Sequence, residues 1–357
     1  APVAAIVTKL MAKNAEDRYQ SALGLQYDLK HCLDQWKNNG GVSSFELGQR
    51  DRCDRFLIPD RLYGRDIEVQ ALLAAFHRVA KGTTELLLIA GISGIGKTAV
   101  VNEVHKPITQ QNGYFIKGKF DQFNRNIPFS GFIQAFRGLL RQLLGESDSA
   151  LNSWKTKILD AIGVNGQAIL EVIPELEQLI GKQPPLSELS GTAAQHRFNL
   201  VFSQFIQVFA NKNHPLVIFL DDLQWADSAS LNLLQRLLDA SASSSNHGYL
   251  LVLGTYRDNE ISPAHPFMVA LEGIQHNGTT IQIVTLETLK AADIKQLVAD
   301  TLQCSVDMAQ PLAQLVYQKT QGSPFFTTQF LKELYAQNCI GFDTHAGVWQ
   351  CDLSKVR

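Results

Sequence analysis

The sequence predicts an α/β fold in which helices cover both faces of a parallel β-sheet, followed by a region built from helices alone. Short apolar runs alternate with stretches of helical periodicity between residues 85 and 287, a pattern typical of strands buried on both sides. The first apolar run leads into a glycine-rich turn, and a later one ends in two aspartates. From about residue 290, apolar positions recur only at helical spacing, so a domain boundary is expected near residue 288.

Composition narrows the class of protein. A chain of 357 residues suits two or three domains, and 45% hydrophobic with 18% charged residues is typical of a soluble globular protein. A formal net charge of −2 argues against nucleic acid as a partner. No apolar run approaches the roughly 20 residues that span a bilayer, so no membrane partner is expected. The missing initiator Met and the abrupt ending suggest a piece of a longer polypeptide.

The cysteines indicate a reducing compartment. The chain has five, without a CxxC pair and without a nearby paired histidine, which disfavours both a metal site and a disulfide framework. Reduced thiols and a cytoplasmic location are therefore expected. The cysteines are Cys32, Cys53, Cys304, Cys339 and Cys351.

In the first segment, residues 1–37, the sequence pattern predicts one helix over residues 3–37. Apolar residues from Ile6 to Trp36 recur at helical spacing, and the run NNGG at 38–41 ends the helix. The polar, patternless chain over 38–60 is expected to be a linker. Another helix is expected to begin near Asp66, a candidate N-cap, and to end at Gly82.

The core domain is expected to span residues 61–288. Helices are expected between its strands, and the stretch 145–190, which is long for a simple crossover, is predicted to be an inserted helical element with a loop. An all-helical domain over 289–357 follows. The predicted strands lie at 85–90, 113–118, 215–222, 249–256 and 280–287, and the clearest helices at 129–144 and 196–210.

The stretch GISGIGKT at 91–98 matches the pattern G-x-x-x-x-G-K-[ST] in full, with a predicted strand before it and a helix after it. Its glycines let the backbone turn tightly, so that N–H groups point at anionic oxygens. Lys97 is expected to neutralise the β- and γ-phosphates of a nucleotide, and the Thr98 hydroxyl to bind Mg²⁺. The alternative is a chance glycine turn. The candidate nucleotide-binding residues of this loop are Gly91, Ser93, Gly94, Ile95, Gly96, Lys97, Thr98 and Ala99.

The run PLVIFLDDLQWAD at 215–227 supplies two carboxylates at a strand end. Asp221 would lie at the carboxyl edge of the sheet, where ligands of open α/β sheets bind, and is the second candidate Mg²⁺ ligand. Asp222 points differently and is a candidate general base that polarises the attacking water, although its short side chain favours slow turnover. The alternative is an acidic strand end that caps a turn.

The next predicted strand runs into Arg257. In NTPases with an extra strand beside the phosphate-loop strand, a polar residue at this strand end senses the γ-phosphate. Arg257 would stabilise charge on the transferring phosphoryl group. The alternative is a surface arginine paired with Asp258 or Glu260. Lys97, Asp222 and Arg257 are thus the candidate catalytic residues.

Two further stretches are weaker candidates for nucleotide contacts. In LYGRD (62–66), the backbone at Gly64 would follow the adenine, with Arg65 near phosphate or ribose. In QGSPFF (321–326), Gly322 breaks one helix and Pro324 begins the next, where proline is favoured. Pro324 would contact the adenine or ribose from a lid, or the stretch is an ordinary helix–helix turn.

Taken together, LYGRD, GISGIGKT, VIFLDDLQWAD, GTYRDNE and GSPFF resemble, in this order, a STAND-class NTPase of the AAA-like regulatory type, over about residues 61–340. The resemblance implies a P-loop NTPase with a five-stranded parallel sheet of order 5-1-4-3-2 and a helical lid. It also implies ATP with Mg²⁺ as ligands, ADP as the ligand of a closed state, and opening by ATP and a stimulus. Protein partners, further domains of the same polypeptide, or a nucleotide-dependent oligomer are then expected.

The first segment resembles a different family. IVTKLMAKNAEDRYQSALGLQYDLKHCL is similar to the last helices of a protein kinase C-lobe, where the residue matching Arg18 pairs with a buried glutamate. The catalytic loop and glycine loop of a kinase are absent, so no protein kinase activity is expected of this chain. A kinase tail joined to a STAND module resembles the large bacterial multi-domain serine/threonine and histidine signalling kinases.

Three functions are compatible with these patterns. The leading hypothesis is an ATP-binding, slowly hydrolysing regulatory switch within a multi-domain signal-transduction kinase of a two-component system. The alternative is a STAND-type transcriptional regulator that acts through a DNA-binding domain outside this chain, against which the near-neutral charge argues. A scaffold with a decayed ATPase is disfavoured by the intact Lys97, Thr98, Asp221 and Asp222.

Overall fold

The structure is a computed structural model that describes residues 2–12, 17–49, 51, 55–124, 127–187, 191–242, 248–343 and 346–356. Cys53 lies outside these residues. The chain divides into two compact units, which we describe separately. One is the nucleotide-loop unit, Arg65–Glu287, and the other, the flanking unit, combines Ala1–Gly64 with Thr288–Arg357.

A five-stranded parallel sheet forms the centre of the nucleotide-loop unit. The strand order β2-β3-β4-β1-β5 is the predicted order 5-1-4-3-2 read from the other edge, so the fold class is confirmed. In chain order the elements are α3 (Asp66–Val79), β1 (Thr84–Ala90), α4 (Lys97–Gln110), β2 (Tyr114–Lys119), α5 (Ser130–Leu143), α6 (Asp148–Ile162), α7 (Gly166–Leu170), α8 (Glu177–Ile180), α9 (Gly191–Phe209), β3 (Leu216–Asp221), α10 (Ser228–Ala242), β4 (Leu250–Tyr256), α11 (Pro266–His276) and β5 (Thr280–Thr285).

Burial along the strands explains why they read as continuous apolar runs. Every residue of β3 and β4 is buried, and β1 is buried after its first residue. In β1, Leu86 and Leu88 belong to the large core cluster. The intervening Leu87 is not part of that cluster, but it is fully buried as well. Since successive side chains of a strand point to opposite faces, both faces of the sheet are covered.

The inserted helical element lies between α5 and β3, as predicted for 145–190. Helices α6, α7 and α8 occupy most of it, and residues 181–187 form neither helix nor strand. Trp154, Ile158, Ile169 and Leu176 join the same core cluster as the aromatic side chains of α9. The insertion therefore enlarges the core on that side of the sheet.

The flanking unit begins with two helices, where the sequence pattern predicted one over 3–37. Helix α1 covers Pro2–Leu10 and α2 covers Ala22–Asn39. The single-helix prediction is wrong because Ser21 starts a new helix: its side chain accepts the backbone N–H of Gly24, as an N-cap does. The predicted stop is confirmed, since Gly40 ends α2 with a left-handed backbone (φ 68°).

The rest of the flanking unit contains three helices and one hairpin among its described elements: α12 (Ala291–Thr301), α13 (Val306–Thr320), α14 (Pro324–Ala336), β6 (Ile340–Asp343) and β7 (Val348–Cys351). The helices agree with the sequence pattern. The antiparallel hairpin was not predicted, so the expectation of helices alone is wrong over 340–343 and 348–351. Trp349 on β7 is buried in the cluster formed with these helices, which anchors the hairpin.

Residues 56–63 lie without helix or strand beside this cluster. The ring of Phe56 stacks on that of Tyr335 at 4.5 Å, and the Tyr63 hydroxyl donates to Asp300 Oδ2 at 2.9 Å.

Among the described helices, none is long and apolar enough to cross a membrane.

Candidate functional site

The glycine-rich loop at 91–96 joins β1 to α4, and its backbone explains its composition. Gly91, Gly94 and Gly96 have φ values of 150°, 75° and 98°, a region that glycine enters without steric cost. A Cβ atom at Gly91 would also lie 3.1 Å from the carbonyl oxygen of Leu286. Helix α4 begins at Lys97, directly after the turn, so its positive N-terminal end faces the loop.

Lys97 extends back over this loop. Its Nζ donates to the carbonyl oxygens of Gly91 at 2.6 Å and Ile92 at 2.9 Å, and the residue is only 7% exposed. Burial lowers the pKa of the Lys97 ammonium, opposed by the negative charge of Asp222. A buried cation that is held by the loop itself is positioned for an anion bound in the same loop.

The ends of three elements meet at Asp221, the last residue of β3. The Thr98 hydroxyl, at the start of α4, donates to Asp221 Oδ1 at 3.4 Å and to Oδ2 at 3.2 Å. The Thr255 hydroxyl, near the end of β4, donates to Oδ1. The two residues predicted to bind Mg²⁺, Thr98 and Asp221, are therefore in contact.

Asp222 follows with a left-handed backbone (φ 58°), which is uncommon for a residue other than glycine. Its Oδ1 accepts from Gln224 Nε2 at 3.0 Å and lies 3.5 Å from Arg257 Nε, and its Oδ2 lies 3.0 Å from Lys119 Nζ. Burial by itself raises the pKa of Asp222, but the hydrogen bonds from Gln224 and Lys119 and the nearby positive charges outweigh it and hold the pKa below its usual value.

Arg257 makes the ion pair that the surface-pair alternative expects, and it also faces Asp222. Its Nη1 lies 2.6 Å from Glu260 Oε1, as in the surface-pair alternative, while its Nε faces Asp222. The guanidinium also stacks over the Trp225 ring at 4.6 Å, and its backbone N–H donates to Gln224 Oε1 at 3.2 Å. Its predicted role as a γ-phosphate sensor stays a prediction.

Sequence reasoning missed three members of this cluster, Lys119, Gln224 and Thr255. Thr255 and Gln224 are buried, at 0% and 2% exposure, and both bond to the aspartate pair. Lys119 ends β2 and is aligned with Asp221 in the parallel ladder. The sequence offered one signal for Lys119 and Thr255. Each lies at the carboxyl end of a strand that neighbours the strand with the aspartates, where ligands of such sheets bind.

Arg65 contacts the glycine loop from the start of α3. Its Nη2 donates to the carbonyl oxygens of Glu287 at 2.6 Å and Ile95 at 3.3 Å, and its Nη1 lies 3.3 Å from Glu68 Oε1. Arg65 thus contacts the backbone of the loop, and its predicted contact with phosphate or ribose stays a prediction.

Gly64 and Pro324 belong to the flanking unit. Gly64 has φ 61° and approaches the Asp293 carboxylate so closely that a Cβ atom would clash with it. Pro324 occupies the first turn of α14, as predicted, and the preceding Gly322 (φ 75°) accepts the Leu289 N–H at 2.8 Å. Their predicted contacts with nucleotide stay predictions.

The donor atoms at this edge of the sheet fit a hard divalent cation and a phosphate chain. A threonine hydroxyl and a carboxylate supply oxygen, which Mg²⁺ prefers, and Mg²⁺ commonly keeps few protein ligands because phosphates and water complete its shell. The described residues hold no group of three or more His, Cys, Asp or Glu side chains that could bind a metal. The glycine loop, the Lys97 ammonium and the helix end supply donors for phosphate.

This sheet order, the glycine loop before α4 and the aspartate at the end of β3 define a P-loop NTPase fold. Within that class, the chain belongs to the AAA ATPase domain family, whose match covers residues 61–253, more than half of the chain.

Curated relatives are histidine kinases. Hybrid signal transduction histidine kinase G of Dictyostelium discoideum is 30% identical over 431 residues, which covers 99% of this chain and 12% of that protein. Histidine protein kinase 1 of Candida albicans is 22% identical over 276 residues, or 67% of this chain and 11% of that protein. The chain thus spans about one eighth or less of the length of these relatives. Among solved structures, Cdc6p of Pyrobaculum aerophilum aligns with a TM-score of 0.44 and 14% identity, over 79% of this chain and 64% of that one.

Proposed function

We propose that this chain is an ATP-binding, slowly hydrolysing regulatory switch module of a multi-domain signal-transduction kinase. The observation that carries the proposal is the contact of Thr98, Asp221 and Thr255 at the mouth of the glycine loop. These residues come from α4, β3 and β4, and together with Lys97 they concentrate donors for the phosphates and oxygen ligands for Mg²⁺ at one edge of the sheet.

Under this proposal, the glycine loop and Lys97 bind the β- and γ-phosphates, and Thr98 and Asp221 hold Mg²⁺, Asp221 through water. Mg²⁺ neutralises phosphate charge when it is bound. Asp222 is the carboxylate left to orient the attacking water, whose addition at the γ-phosphorus releases ADP and phosphate. A carboxylate whose pKa is lowered is ionised at neutral pH but accepts a proton weakly, which suits slow turnover.

The switch role and the signalling context rest on the relatives and on the sequence resemblance. The two relatives named above are histidine kinases much longer than this chain, which favours a module inside a larger kinase of a two-component system. A cytoplasmic location is part of the proposal. The proposal places the module in the STAND class. The sequence resemblance is to bacterial signalling kinases, whereas these two relatives come from Dictyostelium discoideum and Candida albicans, so a bacterial origin stays a prediction.

The segment boundaries are part of the proposal. Residues 1–37 would be the end of a kinase-like lobe, 38–60 a linker, 61–288 the NTPase core and 289–357 a lid. In support, Leu29, Leu33 and Trp36 of α2 are 44%, 46% and 60% exposed, as expected of a helix whose apolar side packs on a further element.

Isothermal titration calorimetry with Lys97→Ala tests the proposed function. Wild-type protein is expected to bind ATP in the presence of Mg²⁺, and the variant to lose that binding, because the buried cation that faces the loop is removed. The matched control is Lys106→Ala, an exposed lysine on the same helix, which should bind as wild type does. Equal affinity of wild type and Lys97→Ala would overturn the assignment of the loop.

A further inference from the structure

Lys119 combines a backbone held by hydrogen bonds with a side chain that is largely exposed. It is the last residue of β2, where its backbone N–H donates to Gln134 Oε1 at 2.7 Å and the N–H of Phe120 donates to the Asp221 carbonyl oxygen at 3.0 Å. The backbone at the strand end is therefore held from both sides. Its side chain, in contrast, is 55% exposed.

The Lys119 ammonium lies against the aspartate pair. Its Nζ is 3.0 Å from Asp222 Oδ2 and 3.7 Å from Asp221 Oδ2. That same Oδ2 of Asp221 accepts the Thr98 hydroxyl at 3.2 Å. One carboxylate oxygen thus separates the ammonium from the hydroxyl proposed to bind Mg²⁺.

The other two cations of the cluster are held by groups outside the aspartate pair. Lys97 donates to two loop carbonyl oxygens, and Arg257 is held by Glu260 and stacks on Trp225. In the described part of the chain, the ion partners of Lys119 are the two aspartates alone. Lys119 is therefore the cation of this cluster that can change partners at the lowest cost.

A divalent cation on Asp221 would compete with Lys119 for the same carboxylate. Like charges repel, and the attraction of a single ammonium to Asp221 at 3.7 Å is weaker than that of a directly or water-bound divalent ion. The long, flexible stem of lysine lets the ammonium move without the backbone. A terminal phosphate beside the metal is the anion that it would then meet.

We propose that Lys119 senses the γ-phosphate of a bound nucleotide. When no metal–nucleotide is bound, its ammonium is the counter-ion of Asp221 and Asp222. When MgATP binds, the ammonium moves to the γ-phosphate and forms its ionic contact there. MgADP brings the metal but no terminal phosphate, so Lys119 favours ATP over ADP. This inference rests on the proposed function, because it requires that the loop bind both nucleotides.

Nucleotide selectivity tests the inference. The affinities for MgATP and MgADP are measured by calorimetry for Lys119→Met, which keeps the length of the stem without the charge. The ratio of the two affinities is expected to fall on the order of tenfold, through weaker MgATP binding, since a charge-assisted contact to phosphate is lost. Lys119→Arg should keep most of the ratio, and Lys117→Met, an exposed lysine on the same face of β2, should leave it unchanged.

Chemical labelling of the wild-type chain removes any dependence on the folding of a variant. Acetylation of lysines by acetic anhydride, quantified by mass spectrometry, should be slower at Lys119 in MgATP than in MgADP, while Lys117 reacts equally in both. Equal rates at Lys119, or an unchanged affinity ratio in Lys119→Met, would overturn the inference and leave the proposed function intact. A wild-type protein that binds neither nucleotide would instead overturn the proposed function and this inference with it.

Discussion

A single hydroxyl connects the two aspartates of the site. The Thr255 side chain donates its hydrogen to Asp221 Oδ1 and accepts the backbone N–H of Asp222 at 3.0 Å. Both roles are compatible, because a hydroxyl has one donor and two acceptor sites. Thr255 therefore holds the side chain of one aspartate and the left-handed backbone of the next, and it does so in a position that is fully buried.

Thr255→Val should accordingly destabilise the fold. Valine has nearly the same shape, but it leaves the buried Asp222 N–H and an Asp221 oxygen without this partner, at a cost of about 1–3 kcal/mol in the free energy of unfolding. Urea denaturation followed by circular dichroism measures the change. Thr285→Val, at the exposed end of β5, is the matched control and should stay within about 0.5 kcal/mol of wild type. Equal effects of the two substitutions would contradict the role of the hydroxyl.

Asp222→Asn tests the chemistry at the neighbouring residue. The variant should still bind MgATP, because the loop, Lys97 and Asp221 are unchanged, yet hydrolyse it on the order of a hundredfold more slowly, as expected when a carboxylate that orients water is neutralised. Release of phosphate under single-turnover conditions measures the step. Asp160→Asn is the control: Asp160 is an exposed carboxylate on α6, and this variant should hydrolyse MgATP at the wild-type rate. Wild-type turnover in Asp222→Asn would place the base elsewhere.

The sequence predicted the residues of this site that carry a motif and missed those that depend on neighbouring strands. The glycine loop and the aspartate pair are contiguous patterns, so Lys97 and Asp221 could be named before their surroundings were known. Lys119 and Thr255 lie far from the aspartates in sequence, and each meets them only because β2 and β4 flank β3. Strand order was known only through the resemblance, and side-chain contacts across strands are not encoded in any local pattern.

At the level of elements, helix α5 and strand β2 touch through their backbones. A Cβ atom at Gly118, on β2, would collide with the carbonyl group of Gly131 in the first turn of α5. Further along the same helix, a Cβ atom at Gly138 would find no atom within 4 Å beyond its chain neighbours and the backbone of its own helix. A side chain at Gly118 would therefore disturb the packing of β2 on α5, whereas one at Gly138 would not.

Alanine substitutions at these two positions should change stability in opposite directions. Gly118→Ala forces β2 and α5 apart and should cost about 1–3 kcal/mol, the usual penalty of overpacking. Gly138→Ala fills open space in a helix interior and should stabilise by about 0.5–1 kcal/mol, since alanine loses less backbone entropy than glycine. Urea denaturation of both variants gives the comparison, and a stabilising Gly118→Ala would contradict the close contact.

Elements with a long sequence pattern were predicted correctly, whereas elements with a short pattern were missed. Strands buried at consecutive positions, such as β3 and β4, were located to within one residue at each end. The hairpin of β6 and β7 has only four residues in each strand, too few to show an alternating pattern. The break before α2 was missed because apolar residues on both sides continue a helical spacing, although Ser21 is an N-cap residue by type.

At the scale of the whole molecule, the residues proposed to bind phosphate and Mg²⁺ and to act in hydrolysis come from one continuous stretch of chain, whereas Gly64 and Pro324, which are also predicted to contact nucleotide, belong to the flanking unit. Lys97, Thr98, Lys119, Asp221 and Arg257 all belong to the nucleotide-loop unit, Arg65–Glu287. Any nucleotide that they bind therefore stabilises this unit against opening by mass action, whatever the flanking unit does. The stabilisation is a property of a compact unit, so amides far from the site within that unit should report it as well.

Hydrogen exchange followed by mass spectrometry measures this effect. With MgATP at about one hundred times its dissociation constant, the nucleotide-loop unit should gain about 2.7 kcal/mol, which slows exchange through its global opening about a hundredfold. The gain should appear in the buried strands β1, β3 and β4, which exchange only when the unit opens, as well as in the loop at 91–96. Lys97→Ala should lose the protection in all of these segments together. Protection confined to the loop, with the strands unchanged, would show that the nucleotide orders a local segment and does not stabilise the unit as a whole.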